Sequence, residues 1–155
     1  MPTSTGTDPQ IAARQRWMGI LARAEDGALE AAWADLADKP EYRLLRPPET
    51  GLVMVRGRAG GTGSAFNMGE MSATRCAVQL EGGEVGIAYV AGRSARHAEL
   101  AAAFDALLQQ PGRREELDEA VVTPLESAQQ ARRDESRANA DRSRVEFFAM
   151  VRERD

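Results

Sequence analysis

The chain has 155 residues, of which 43% are hydrophobic and 28% charged, and its formal net charge is −4. These values fit one globular domain with a single core and argue against a disordered chain or a general nucleic-acid binder. The single cysteine excludes an intrachain disulfide, the N-terminus lacks the basic and apolar regions of a signal peptide, and no apolar stretch could span a bilayer. We therefore expect a cytoplasmic protein that binds neither a membrane nor nucleic acid.

Two helices are predicted at the start of the chain, over about residues 9–24 and 26–38. Asp8 can cap the first helix because its carboxylate can accept a hydrogen bond from a free backbone N–H. Apolar residues recur at helical spacing in both segments. We interpret Trp17 and Trp33 as core residues where the two helices meet.

An antiparallel sheet of three or four strands is predicted next, because apolar and polar residues alternate in short runs. The predicted strands are residues 42–46, 52–58, 73–80 and 84–91. Pro47 and Pro48 cannot donate to a central ladder, so we place a turn between the first two strands.

Gly82-Gly83 separates the last two strands and predicts a two-residue hairpin turn. In that register Gly86 and Ala88 share the face that carries Ala77, turned away from the helices. Such a face is smoother than an ordinary solvated surface. We therefore predict that another chain covers it.

The rest of the chain is predicted to be helical. A helix over residues 94–110, capped by Ser94, should cover the sheet, and a short helix over 113–121 follows. Residues 127–144 are too polar to bury a face. The apolar residues after them should anchor the chain to a partner, and these are Phe147, Phe148, Met150 and Val151.

These elements predict an α+β fold with an N-terminal helical pair, an antiparallel sheet, covering helices and a C-terminal helical arm. The predicted divisions are a flexible leader at residues 1–7, a domain at 8–122 and the arm at 123–155.

A glycine-rich stretch lies in the predicted loop at residues 59–70. Closely spaced glycines allow backbone N–H groups to converge on an anion. The residues concerned are Gly60, Gly61, Thr62 and Gly63. No Gly-Lys-Ser/Thr sequence follows, so this is not a Walker loop. A plain flexible connection and an anion site both stay open.

Several arginines are candidates for binding an anion. Strand alternation places Arg56, Arg58 and Arg75 on one side of the sheet, and Arg93 precedes the covering helix. Such a group could hold a triphosphate or the carboxylates of a partner. The alternative is that these side chains are merely solvated.

The single cysteine and single histidine are too few for a zinc site within the chain. Cys76 is interpreted as a buried thiol and His97 as a neutral, hydrogen-bonded imidazole. A nucleophile–base pair would need them to come together from different elements. We predict no catalytic residue and no metal ligand.

A set of short segments in fixed order carries a family resemblance. They are RQRWM at residues 14–18, ETGLV at 49–53, RAGGTG at 58–63, TR at 74–75, GR at 92–93, HAE at 97–99 and RVEFFAMVR at 144–152. With these the chain resembles the PhnG subunit of the bacterial carbon–phosphorus lyase core complex, over about residues 10–152. Pro47-Pro48 departs from the family pattern, which leads us to expect a less rigid pair before Glu-Thr-Gly.

The resemblance implies a role in phosphonate breakdown. Family members act with the H, I and J subunits and the associated L subunit. The reaction implied replaces adenine at the ribose of MgATP by methylphosphonate, giving α-D-ribose 1-methylphosphonate 5-triphosphate. MgATP would be a substrate of the complex, no cofactor would bind this chain alone, and this subunit would not be catalytic by itself. The alternative is a freestanding small-molecule enzyme that binds a phosphorylated ligand at residues 60–63.

Overall fold

The computed structural model describes residues 8–152 and the side chains of residues 8–142. The helices are α1 (Pro9–Ala22), α2 (Ala28–Asp35), α3 (Ala95–Leu108), α4 (Pro111–Leu117) and α5 (Thr123–Arg152). The strands are β1 (Tyr42–Arg58), β2 (Ala65–Leu80) and β3 (Val85–Ala91), and they form one antiparallel sheet in the order β1-β2-β3. The predicted α+β fold is confirmed, with three strands.

Helix α3 is the centre of the core. It packs on β2 and β3 and is buried on every side from Leu100 to Leu108. Its start follows the prediction, since the Ser94 hydroxyl accepts a hydrogen bond from the backbone N–H of His97 at 3.2 Å. An apolar helix buried all round holds the surrounding elements together.

The two tryptophans are buried, as predicted, but each meets α3. Trp33 packs edge-on against Phe104, with ring centroids 5.6 Å apart. Trp17 donates its indole N–H to Asp105 at 2.8 Å. The N-terminal helices are therefore held mainly by the central helix.

The hairpin between β2 and β3 differs from the prediction by one residue. The backbone N–H of Gly83 donates to the carbonyl of Leu80, and the N–H of Leu80 donates to the carbonyl of Glu84. The turn therefore has three residues, 81–83, and Gly83 has the left-handed φ of 97° that closes such a turn. Val78 consequently pairs with Gly86.

This shift turns β3 over, because a one-residue change of register moves every side chain to the other face. Gly86 and Ala88 face α3, and Ala88 is only 4% exposed. The predicted open face of Ala77, Gly86 and Ala88 is therefore wrong. Ala77 does lie on the outer face, but its neighbour there is the exposed Ile87.

A single long strand replaces the predicted pair of strands around the prolines. Strand β1 runs through Pro47 and Pro48 and pairs only with β2, so the prolines occupy an edge strand, where an absent N–H is tolerated. The pairing is irregular between Arg46 and Glu49, which accommodates them. The predicted turn at this point is wrong.

The C-terminal helix starts on the domain and then continues as an exposed helix. Gln129 donates to the carbonyl of Ile20 at 2.8 Å, and Arg132 forms an ion pair with Glu25. All residues from 130 to 142 are exposed, which confirms a polar, solvent-facing helix over that range. The predicted anchor falls outside the described side chains, and its residues are Phe147, Phe148, Met150 and Val151.

Candidate functional site

A two-stranded ribbon extends from one end of the sheet. Strand β3 pairs with β2 only as far as Ala73, opposite Ala91. Beyond that point β1 and β2 pair with each other alone, through residues 52–58 and 65–72. At the usual rise per residue this ribbon, residues 52–72, is about 25 Å long. The loop predicted at residues 59–70 is shorter in the structure and covers residues 59–64, because β2 begins eight residues earlier than expected.

Both faces of the ribbon carry exposed apolar side chains. One face, here the Leu52 face, bears Leu52 and Met54. The opposite face, here the Met71 face, is more apolar, and its large exposed side chains are Val53, Phe66, Met68 and Met71. These six side chains are 40–65% exposed. A two-stranded ribbon is marginally stable in water, so exposed apolar groups on both faces indicate a surface that another protein covers.

The glycine-rich loop forms the tip of this ribbon. The backbone N–H groups of Thr62 and Gly63 both donate to the carbonyl of Ala59. The Arg58 guanidinium donates to the carbonyl of Gly63 at 3.0 Å. Two of the amides that could have faced an anion are thus used within the loop.

Arg75 lies elsewhere, on the outer face of the sheet. It donates to Glu49 at 2.8 and 3.1 Å, beside Tyr89 and at the rim of a shallow hollow of about 290 Å³. The hydrogen bond from Arg75 lowers the pKa of Glu49, and the same contact raises the pKa of Arg75. Arg75 is therefore paired with a carboxylate of its own chain.

The structure separates the predicted anion-binding residues. Arg75 lies ten positions along β2 from Ala65, so the glycine loop is roughly 30 Å from that arginine. Arg56 and Arg58 alternate with Leu52 on the face opposite Arg75, so the prediction that they share one side is wrong. Arg93 is exposed after β3. One phosphate group cannot contact all of them.

Cys76 and His97 do not form a nucleophile–base pair. The Cys76 thiol donates to the carbonyl of Arg46 at 3.4 Å, and burial raises its pKa. The His97 Nε2 donates to the carbonyl of Leu21 at 2.8 Å. Each side chain is engaged by a different backbone segment, as expected for structural roles. Within residues 8–142 no group of three His, Cys, Asp or Glu side chains could hold a metal ion.

A buried carboxylate that the sequence analysis missed joins α1, α3 and β3. Asp105 is completely buried and accepts hydrogen bonds from Arg14 at 2.7 and 3.1 Å, from Trp17 at 2.8 Å and from the Ile87 N–H at 3.0 Å. Arg14 also donates to the carbonyl of Val85 at 3.2 Å. The sequence feature that could have revealed this site is an aspartate within the apolar part of a predicted helix. A carboxylate needs hydrogen-bonding partners when it is buried. Two of these partners belong to the RQRWM segment, which therefore has a structural role.

Known proteins are similar to this chain over nearly its whole length. The family described as "Phosphonate metabolism protein PhnG" matches residues 12–153. The alpha-D-ribose 1-methylphosphonate 5-triphosphate synthase subunit PhnG of Rhizobium meliloti (strain 1021) is 44% identical over 154 residues, covering 97% of this chain and 96% of that protein. No helix among the described residues is long and apolar enough to cross a bilayer.

Proposed function

The chain belongs to the PhnG family of phosphonate metabolism proteins, and from this membership we propose that it is a subunit of an enzyme complex that attaches a phosphonate to a ribosyl triphosphate. The observation that carries the proposal is the full-length match to a synthase subunit, with 44% identity and no large unmatched segment. A match along nearly the whole chain supports a shared fold and, in this proposal, a shared role as a subunit.

In the proposed reaction, the complex uses MgATP and methylphosphonate. A phosphonate oxygen forms a bond to C1′ of the ribose while the bond from C1′ to the adenine nitrogen breaks. Adenine leaves with the electron pair and takes up a proton. The product is α-D-ribose 1-methylphosphonate 5-triphosphate, which retains all three phosphates of ATP.

The role of this subunit in the proposal is assembly. Cys76 and His97 both bind backbone carbonyls, so these two groups are not poised for covalent or acid–base chemistry. The exposed ribbon and the projecting α5 offer surfaces for other chains. We propose the H, I and J subunits and the associated L subunit as its partners in the cytoplasm. The glycine loop, Arg58, Arg75 and Arg93 would contact these partners or the substrate triphosphate.

A reconstitution tests this role. We expect adenine release from MgATP and methylphosphonate to require this chain in addition to the H, I and L subunits. The rate should fall to background when the chain is omitted. Chromatographic detection of free adenine measures the reaction directly. Adding the purified chain back should restore the rate, whereas heat-denatured chain should not. An undiminished rate without the chain would overturn the proposal.

The competing function is a freestanding enzyme that binds a phosphorylated ligand at residues 60–63. The loop geometry weakens this alternative, because Thr62 and Gly63 direct their amides at Ala59 and Arg58 is bound to the loop carbonyl. The same adenine assay separates the two functions. Turnover by the chain alone would favour the freestanding enzyme.

A second prediction concerns the C-terminal helix. Residues 133–152 continue as helix past Arg132, which forms an ion pair with Glu25, and span about 30 Å. Deleting residues 143–155 should leave the thermal unfolding transition within about 2 °C of the original value and abolish co-purification with the partner subunits, since the end of the helix is the proposed anchor. Differential scanning calorimetry and affinity co-purification measure the two effects. Loss of the unfolding transition would show that this segment completes the domain core.

A further inference from the structure

We propose that the ribbon at residues 52–72 inserts into an apolar cleft of another subunit of the complex, and that this cleft closes on both faces of the ribbon. The inference deepens the proposed function and depends on it. It assigns a docking element that is separate from the C-terminal helix.

The apolar area of the ribbon is large enough for such a contact. Its six large apolar side chains, each 40–65% exposed, together offer on the order of 600 Å² of exposed surface, divided between the two faces. A stable interface buries roughly 800 Å² on each partner. The ribbon alone thus supplies most of the surface of one standard interface.

The charge distribution also favours burial. Only three of the 21 ribbon residues are charged, namely Arg56, Arg58 and Glu70, whereas 28% of the whole chain is charged. Depletion of charge is typical of the buried centre of an interface. Both arginines lie at the end near the tip, and Arg56 has no ion pair with any described residue. We therefore expect apolar cleft walls with a carboxylate where the tip enters.

The exposure of both faces decides between a second copy and a different subunit. A two-fold contact between identical ribbons would cover the same face of each copy and leave the other face in water. Leu52 and Met54 on one face, and Met68 and Met71 on the other, would not be buried together in that way. A cleft that encloses the ribbon covers both faces.

Methionine makes such a ribbon adaptable. Met54, Met68 and Met71 are three of the six methionines in the chain. Their unbranched side chains can adjust to the shape of a partner. The Met68 side chain lies across the backbone of Gly57, whose missing side chain leaves that space open. The Met71 face is therefore continuous from Val53 to the tip.

One lysine on each face tests the cleft. Affinity-tagged full-length chain is co-expressed with the H, I and J subunits, carrying Met54→Lys on the Leu52 face or Met68→Lys on the Met71 face. Burying an unpaired ammonium is costly, so we expect either substitution to lower recovery of the complex by roughly tenfold or more. The matched control is Ile11→Lys, because Ile11 is also an exposed apolar residue, at 53%, but lies on α1. The control complex should be recovered in full.

Each outcome has one meaning. If the original chain does not co-purify with these subunits, the proposed function fails and the inference fails with it. If the original chain assembles and both ribbon variants assemble equally well, the ribbon inference alone is overturned. If only one face matters, an enclosing cleft is overturned in favour of a one-sided contact. A dimer of the isolated chain that Met68→Lys dissociates would instead identify a second copy as the occupant, and would also overturn the inference.

Discussion

Replacing Asp105 by alanine is expected to lower the free energy of unfolding by about 3–5 kcal/mol. The side chain is completely buried and binds Arg14, Trp17 and the Ile87 N–H. Its removal leaves an indole N–H and a backbone N–H without their acceptor and takes the carboxylate partner from Arg14, and a buried donor without a partner costs more than the bond contributes. Urea denaturation of the purified chain, followed by circular dichroism, measures the change.

The control for this substitution is Asp118→Ala. Asp118 also accepts from an arginine, Arg16, at 2.7 Å, but its side chain is 33% exposed and Arg16 keeps Glu126 as a second partner. A pair of this kind contributes up to about 1 kcal/mol. Equal losses for the two alanine variants would show that burial of Asp105 does not matter. Asp105→Asn should lie between the two, because its single acceptor oxygen cannot serve both sides of the network.

The second large effect is expected at Gly86. A Cβ there would overlap the carbonyl oxygen of Ala102 and lie 2.7 Å from the backbone nitrogen of Ala106. Backbone atoms of α3 cannot move aside like the end of a side chain, so Gly86→Ala must push the central helix away from β3. Overpacking of this kind costs about 3 kcal/mol or more. For a chain of this length that corresponds to a fall of roughly 6–12 °C in Tm.

A second glycine provides the control for this experiment. A Cβ at Gly112 would meet no neighbouring atom within 4 Å, and this residue lies in α4, where alanine is the better helix former. Gly112→Ala should therefore leave Tm unchanged or raise it slightly. Thermal unfolding of the two variants side by side measures the difference. A Gly86→Ala protein as stable as the Gly112→Ala protein would contradict the close approach of α3 to the sheet.

Local signals in the sequence predicted the elements well but not their long-range pairing. Asp8 and Ser94 cap helices as expected, because a cap depends on residues within one turn. Gly82-Gly83 correctly indicated a hairpin. It did not fix the turn length, because a three-residue turn with Gly83 in the left-handed region uses the same glycines. That one residue decided which face of β3 is buried.

The full length of β1 was missed for a related reason. Pro47 and Pro48 were interpreted as a turn because they cannot donate to a ladder, but an edge strand needs only one paired side. Whether a strand lies at the edge depends on the whole sheet and cannot be read from its own residues. Alternation alone placed Arg56 and Arg58 on the side of Arg75, but the relative faces of two strands depend on their register. Arg75 pairs with Glu49, and Arg56 is an odd number of positions further along β1, so the two arginines lie on opposite faces.

The Asp105 network also determines when α1 can dock on the domain during protein synthesis. Arg14 and Asp105 are 91 residues apart, so the ribosome must add about ninety residues after α1 before the acceptor of Arg14 exists. At 5–20 residues per second this takes roughly 5–18 s. During that interval Trp17 and the rest of the apolar side of α1 have no helix to pack against. Helix α1 can thus dock only after the central helix has been made, and until then Trp17 is an exposed apolar surface on the nascent chain.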